Sequence, residues 1–544
     1  MAVIRTASAP VTGPGGVADG CRGRPAGPAI RMTATPPAGR RRPDVPARRV
    51  ASGASARGTA PGGATPGRVD WFTDSGYWLG RLVFQRLLAL VYLTAFLAAA
   101  RQFRALIGAR GMLPVPRFVA RVPFRAAPSV FQLHYSDRFF AAWSWCGALL
   151  AAAVAAGAAD AVPLGAAMAM WAALWVMYLS IVNVGQTWYG FGWESLLLET
   201  GMLAVFLGNG DLAPPVLVMW LVRWLLFRVE FGAGLIKMRG DRCWRDLTCL
   251  CYHHETQPMP GPLSWFFHRL PGPLHKVETA ANHVAQLGLP VLLFTPQPVA
   301  GWAAAAMAVT QLWLVFSGNF AWLNWLTLAL ALSVAAGALP RVTPPPLPAG
   351  APVWFTVLVC AATAGVLALS YRPARNLLAR EQRMNTSYEP LHLVNSYGAF
   401  GSVTRVRREV VVEGTASAVD GPGTVWKEYA FHGKPGEVGR LPRQFAPYHL
   451  RLDWLMWFAA LSPGYAAGWF GGFVERLLEG DRDTLRLLRG NPFPDAPPLR
   501  VRARLFEYRF TTWRELRESG AWWHRREVRP FLPPTALSPR PGRR

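Results

Sequence analysis

Long apolar runs alternate with short basic ones through the middle of the chain, and after residue 372 the apolar period shortens. Runs near the length of about 20 residues that crosses bilayer hydrocarbon recur at Leu82–Ala100, Phe139–Ala159, Leu164–Val182, Phe191–Leu207, Pro215–Lys237, Val299–Phe316, Phe320–Leu339 and Val353–Tyr371. A further piece, His283–Phe294, is short and bounded by Pro290 and Pro296, and reads as half of a broken helix or a re-entrant segment. The pattern predicts eight or nine membrane helices over residues 70–372. Downstream, "RVRREVVVEG" alternates with Val406, Val410 and Val412 on one side and Arg407, Glu409 and Glu413 on the other. In "LRVRARLFEYRF" Leu499, Val501, Ala503 and Leu505 alternate with arginines, and the phase then slips to Tyr508 and Phe510, the mark of a β-bulge. A further strand at Trp426–His432 and helices in "LRLDWLMWFAAL" and "GGFVERLLEGDRDTLRLLRG" complete the set. The predicted architecture is a polytopic α-helical membrane domain followed, over 373–534, by an α+β domain with an antiparallel sheet.

Composition sharpens this. Hydrophobic residues are 52% and charged residues only 16% of 544, against about 25% charged in a typical soluble domain. The net charge of +26 raises nucleic acid as a partner. No nucleic-acid motif accompanies it, and arginines beside spans serve topology and anionic lipid, so membrane lipid is expected and nucleic acid is not. Residues 1–69 hold 22 Pro or Gly, 11 Arg and two acids, and read as a disordered tail without a signal-peptide core; 535–544 reads as a second. Arg372, Arg375, Arg380 and Arg383 vote for a cytoplasmic flank after the last span.

Several spans carry charge, and an ion in the bilayer core costs at least about 2.5–3.5 kcal/mol. Arg223, Glu230 and Lys237 are spaced by sevens, on one face of a helix and about 10 Å apart along its axis. With Glu194, Glu199 and Arg228 they form an intramembrane charge cluster that must pair internally or surround a wet cavity. One arrangement has Glu194 or Glu199 neutralising Arg223 or Arg228, with Lys237 snorkelling outward beside Arg239. The other is a substrate-binding cavity. Gly232 and Gly234 allow close approach in either case.

The segment after this span, "RGDRCWRDLTCLCYHHETQPMP", concentrates the remaining chemistry. Its cysteine–histidine spacing is off-type for structural zinc, so no metal and no cofactor are expected. Cys243 and Cys249 are too far apart for a disulfide on a helix but meet in a loop, with Arg239, Arg242 and Arg245 beside them. The plain reading is an interfacial cap: Trp244 at the head groups, Asp241 and Asp246 paired with nearby arginines, and His253, His254 and Glu255 lining a cavity mouth opposite Lys237. His268, His275 and His283 follow on an amphipathic stretch. No nucleophile elbow, phosphate loop or dinucleotide fingerprint appears.

The stretch from "EFGAGLIKMRGDRCWRD" to "VAQLGLPVLLF", with "QFRALIGARGMLP", "YGFGWESLLLETGMLAVFL", "SGNFAWLNWLT", "NSYGAFGSVTR", "WKEYAFHGKPG" and "NPFPDAPPLRVRARLFEYRFT" in order, resembles the lipase maturation factor family from about residue 72 to 534. The resemblance implies a multi-pass membrane protein that helps secreted lipase-like clients fold and assemble, without an established reaction. It also implies a C-terminal domain on the non-cytosolic side, against the arginine vote. In eukaryotic members the membrane is that of the endoplasmic reticulum; the Arg-, Ala- and Pro-rich composition points instead to a bacterial member in a plasma membrane. A fainter resemblance, to the membrane region of vitamin K-dependent γ-carboxylase, covers only the central spans. It implies an enzyme with Lys237 as base and Glu230, His253 and His254 nearby. A third reading is thiol exchange by Cys243 and Cys249. The oligomeric state is left open.

Overall fold

The computed structural model describes residues 68–339, 346–347 and 350–537. The two expected disordered tails lie almost wholly outside the described residues. Each of the nine apolar segments is helical: α1 (Trp78–Leu106), α2 (Asp137–Ala156), α3 (Leu164–Val184), α4 (Gly192–Ala204), α5 (Val216–Arg239), a composite helix beginning at Gly272, then Val299–Ser317, Leu323–Ala335 and Val353–Leu369. Five of the described helices are long and apolar enough to cross a membrane: Ser75–Leu106, Asp137–Ala156, Leu164–Val184, Val299–Ser317 and Val353–Leu378. The eight or nine spans expected are thus helices, but not all are spans by length and composition. α4 explains part of the gap. Its 13 residues are all buried and rise only ~20 Å, short of the ~30 Å hydrocarbon core. It is a helix inside the protein, not one facing lipid.

After α5 comes a short helix, α6 (Leu250–Thr256). α7 (Gly272–His283) then runs through a π-helical turn, Val284–Gly288, into Leu289–Leu292. Pro290 does not break this helix as the sequence suggested. Pro290 lacks an N–H, and its ring crowds the carbonyl of residue 286. The widened turn immediately before it relieves the conflict and rotates Gln286 into the protein. The remaining apolar helices are α8 (Val299–Ser317), α9 (Leu323–Ala335) and α10 (Val353–Leu369). α1 packs along α2 and α9, and α8 along α9.

The C-terminal region holds a four-stranded antiparallel sheet of β1 (Arg407–Thr415), β2 (Lys427–Glu428), β3 (Arg500–Phe510) and β4 (Trp523–Thr535), in the order β2-β1-β3-β4. The phase slip in β3 is real: Val501, Ala503, Leu505, Phe506, Tyr508 and Phe510 are buried, and the register with β4 shifts between Leu505 and Phe506. The alternation in β1 does not reveal its burial. The side that carries Arg407, Glu409 and Glu413 is buried as well, because β1 is an inner strand covered on both faces. The charges are answered by ion pairs: Arg407 and Lys434 to Glu409 at 2.6 and 3.1 Å, and Arg502 and Arg504 to Glu413. The helix α11 (Arg451–Leu461) packs against β1 and carries the domain onto the membrane helices.

Candidate functional site

Two buried polar seams run through the helical domain, and five of the six charges of the expected cluster, all but Arg223, divide between them. The first is centred on α4. Glu199 pairs with Arg228 and also accepts from the Asn395 backbone N–H at 3.0 Å and from the Tyr397 hydroxyl at 2.7 Å. Arg228 in turn donates to the Asn395 carbonyl at 2.7 Å. Glu194 takes a 2.7 Å ion pair from Arg451 and a 2.5 Å hydrogen bond from Tyr178. Arg451, fully buried on α11 of the C-terminal region, also donates to the Trp188 carbonyl at 2.6 Å and lies 3.5 Å above the Tyr189 ring. Burial and the neighbouring Arg451 hold the pKa of His449 down to about 4, so its 3.5 Å approach to Glu194 is not an ion pair at neutral pH. Both acids of α4 therefore take bonds from beyond the last span, and Glu194 takes its counter-charge from there as well.

Arg223 pairs with neither acid of α4. It donates to the Leu293 carbonyl at 3.2 Å and the Tyr77 hydroxyl at 3.4 Å, and its guanidinium stacks over Tyr77 and Trp220.

The second seam lies along the inward face of α7 and its π turn. Lys237 donates at 2.8 Å to both Asn282 Oδ1 and Gln286 Oε1, and its ammonium sits 4.7 Å from the centre of the Trp244 ring. Gln286 Nε2 donates to Glu230 at 3.1 Å, Gln311 Nε2 donates to the same carboxylate at 2.6 Å, and Asn324 donates to Gln311. Lys237 and Glu230 are linked through an amide, not in direct contact. Lys237 does not snorkel: it is 5% exposed and turned inward. Arg239 is the exposed residue, held by Gln382 Oε1 and the Leu377 carbonyl. Gly232 admits the Tyr397 carbonyl, which would stand 2.6 Å from an added Cβ.

The same face of α7 continues outward to His275 and Glu278. His254 Nε2 and His275 Nδ1 approach Glu278 Oε2 at 3.3 and 3.5 Å, and Trp313 Nε1 donates to the other carboxylate oxygen at 2.5 Å. His254 thus faces Glu278; among the described residues no hydrogen bond or ion pair joins it to Lys237 or Glu230. His253 packs against the rings of Phe320 and Phe400, and burial lowers its pKa to about 3. His283 meets the Trp244 carbonyl at 2.9 Å.

The loop between α5 and α6 takes the non-helical option. One helical turn, Arg242–Arg245, is capped by Asp241, which accepts from the Cys243 N–H. Leu247, at φ 57°, then reverses the chain, so that Cys243 and Cys249 form a disulfide across a Cα separation of 4.8 Å. Both are buried, and Cys251 is not a free thiol either. Trp244 is also buried and donates to the Phe400 carbonyl at 2.8 Å, so it does not stand at the head groups. Asp246 pairs with Arg242 at the surface, and Arg245 is exposed. Asp241 pairs with Arg405, at 2.8 Å, from the segment leading into β1.

From there the loop is clamped to the sheet. Arg407 donates to the carbonyls of Glu255, Gln257 and Pro258, the second of these at 2.5 Å. The Phe510 N–H donates to Glu255 at 2.7 Å, and Trp265 Nε1 donates to the Thr511 carbonyl at 2.9 Å. Burial raises the Glu255 pKa to about 7 and lowers that of His268 to about 3, so their 3.5 Å approach is not a simple ion pair. The predicted rim is thus a joint between the helical and sheet regions. Sequence reasoning missed Arg451, Arg407, Asn282, Gln286, Gln311, Asn324 and Glu278. The amides had a signal, since polar side chains in apolar helices need partners; the arginines, inside ordinary strand and helix patterns, had none.

The chain matches the sequence model of the lipase maturation factor transmembrane domain over residues 79–339 and that of the lipase maturation factor C-terminal domain over 393–533. It is 40% identical over 514 residues to lipase maturation factor 1 of Bos taurus, covering 86% of this chain and 91% of that protein. Lipase maturation factor 1 of Homo sapiens is 39% identical over 88% and 91%, and lipase maturation factor 2 of Gallus gallus 30% over 84% and 81%. No solved structure matches the chain. These relatives are vertebrate proteins and give no support to the bacterial source that composition suggested.

Proposed function

This chain belongs to the lipase maturation factor family, and from that premise we propose that it is a multi-pass membrane protein that helps secreted lipase-like proteins fold and assemble. It acts by holding the client beside the membrane, not by turnover. The observation that carries this reading is the clamp between the two regions. Arg451 reaches Glu194 inside the helical domain, and Arg407 grips three carbonyls of the 255–258 loop. The sheet is thereby presented in one orientation at the membrane surface. The sheet region carries a cleft of about 690 Å³ lined by Glu428, Glu437, Val438, Gly439, Arg440 and Arg525, and β4 leaves Arg526 and Val528 exposed.

The disulfide Cys243–Cys249 supports an oxidising, non-cytosolic location for the loop. The sheet clamped to that loop then lies on the same side, against the arginine vote. Two alternatives lose ground. Lys237 already engages two amide oxygens and an aromatic ring, which disfavours a free base, and the buried disulfide disfavours thiol exchange.

The test is co-expression with a dimeric secreted lipase in cells lacking their own maturation factor. The expected outcome is recovery of secreted lipase activity, lost again when the clamp is broken by Arg407→Ala. Lipase activity no higher with the chain than without it would overturn the reading.

A further inference from the structure

His254, His275 and Glu278 converge from two elements distant in sequence, and their ligand atoms all lie within 4.8 Å of one another. His275 and Glu278, three apart on α7, share one face of that helix, and His254 is brought opposite by α6. Both imidazoles are almost fully buried. His275 Nδ1 has no hydrogen-bond partner although it is turned toward Glu278.

The contact lengths bear on two explanations, a hydrogen-bonded cluster and a set of metal ligands. A charge-assisted N–H···O hydrogen bond is about 2.7–2.9 Å long; the observed separations of 3.3 and 3.5 Å are longer, so that His254 makes only a long hydrogen bond to Glu278. Donors bound tetrahedrally at the usual zinc–nitrogen and zinc–oxygen lengths of about 2.0–2.2 Å stand roughly 3.3–3.5 Å from each other; the two imidazole–carboxylate pairs show that spacing, while all three ligand atoms lie within 4.8 Å of one another, so that an ion would draw the imidazoles together. The carboxylate is oriented independently: Trp313 Nε1 holds Oε1 and leaves Oε2 facing the imidazoles. Such outer contacts orient metal-ligating groups.

We propose that His254, His275 and Glu278 form a zinc site, with Glu278 Oε2 as the single carboxylate donor and a fourth position open to water. Two imidazoles, one carboxylate and an open position make a donor set suited to this ion. The ion ties α6 to α7, the two elements that flank the joint with the sheet. This site is independent of the client-holding reading, and of the Cys–His segment that the sequence brought forward it uses only His254.

The test uses the full chain, purified in detergent with the affinity tag removed. Elemental analysis is expected to find about one zinc per chain, falling roughly tenfold or more in His254→Ala and in Glu278→Gln, and unchanged in the neighbouring His268→Ala. Cobalt added to the chelator-stripped wild-type chain is expected to give the intense visible absorption of a tetrahedral site, abolished by competing zinc. That measurement decides the matter even where a variant fails to fold. Absence of both bound zinc and the cobalt absorption, iron in place of zinc, or full zinc retention in the folded His254→Ala and Glu278→Gln chains each overturns the proposal.

Discussion

The two polar seams are built from the same kinds of residue on neighbouring helices, yet they are satisfied in opposite ways. Around α4 each carboxylate meets a guanidinium directly: Glu194 with Arg451, and Glu199 with Arg228. Along α7 the acid and the ammonium are kept apart, and amides carry the contact through Gln286 and Gln311. The first seam joins regions of the chain far apart in sequence; the second joins helices of the membrane domain to one another. Direct pairing in a dry interior makes each partner indispensable to the other, because removing one leaves an uncompensated buried charge. An amide relay spreads the same duty over several weaker bonds, any one of which is replaceable.

The largest effect should therefore come from breaking the first seam. Arg451→Ala strands Glu194 in the protein interior, at an expected cost of about 3–5 kcal/mol. The measurement is thermal unfolding in detergent, together with protease sensitivity of the C-terminal region. Adding Glu194→Gln to the same chain should recover much of the loss, since the orphaned charge is then gone. If the double variant is as unstable as the single one, the cost lies in packing around Arg451, and the contrast between the seams fails.

The second effect concerns Asp453, two residues along α11 from Arg451 but satisfied in the manner of the other seam. It accepts backbone N–H bonds from Gly433 at 2.6 Å and Lys434 at 3.3 Å. Burial pushes its pKa up from 3.8 to about 6. A carboxyl raised on folding favours the protonated form in the native state. Its contribution is therefore present below the unfolded pKa and is lost as pH rises through the folded one. Stability should decline between about pH 4 and 6 by up to ~3 kcal/mol. Asp453→Asn, which retains an acceptor oxygen, should flatten that slope. Melting temperatures of both chains across pH 4 to 7 would show it; parallel curves would contradict it.

The contrast also marks what the sequence can disclose. Local periodicity located every apolar helix and the slip in β3, because period and side-chain direction are properties of a few adjacent residues. It also located the charges that needed partners. It did not supply the partners: Arg451 lies 257 residues from Glu194, and its own segment reads as an ordinary helix. The same limit hid the surroundings of β1. An alternating strand shows which residues share a side, while burial on both sides depends on α11 and on the Trp265 segment packing from elsewhere. His254 stood out, yet Glu278 did not, since a glutamate on an amphipathic helix ordinarily faces water.

A smaller effect is expected at the joint where the two regions meet outside the spans. Replacing Cys243 and Cys249 together by serine removes a cross-link of sequence separation 6. Loop-closure entropy for so short a ring gives about 2 kcal/mol. Because the Asp241–Arg405 and Arg407 contacts remain, the fold should persist with a lower melting temperature. Support of secreted lipase activity should be retained at permissive temperature. Complete loss of that activity in a folded chain would return the thiol pair to a chemical role.

The smallest effect should be Glu230→Gln in the amide seam, and its smallness is the sharpest test of the comparison. Gln286 and Gln311 both donate to the Glu230 carboxylate, while Lys237 rests on Asn282 and Gln286. The glutamine keeps one acceptor oxygen and faces the other amide with a donor. One hydrogen bond is lost, or an amide turns over to restore it, at a cost of about 1 kcal/mol. A lysine that relied on Glu230 as its counter-ion would respond differently, with a loss comparable to that of Arg451→Ala. Measuring both variants by the same unfolding assay places the seams on one scale: a severalfold larger effect at Arg451 establishes paired charge against amide relay, and equal effects erase the distinction.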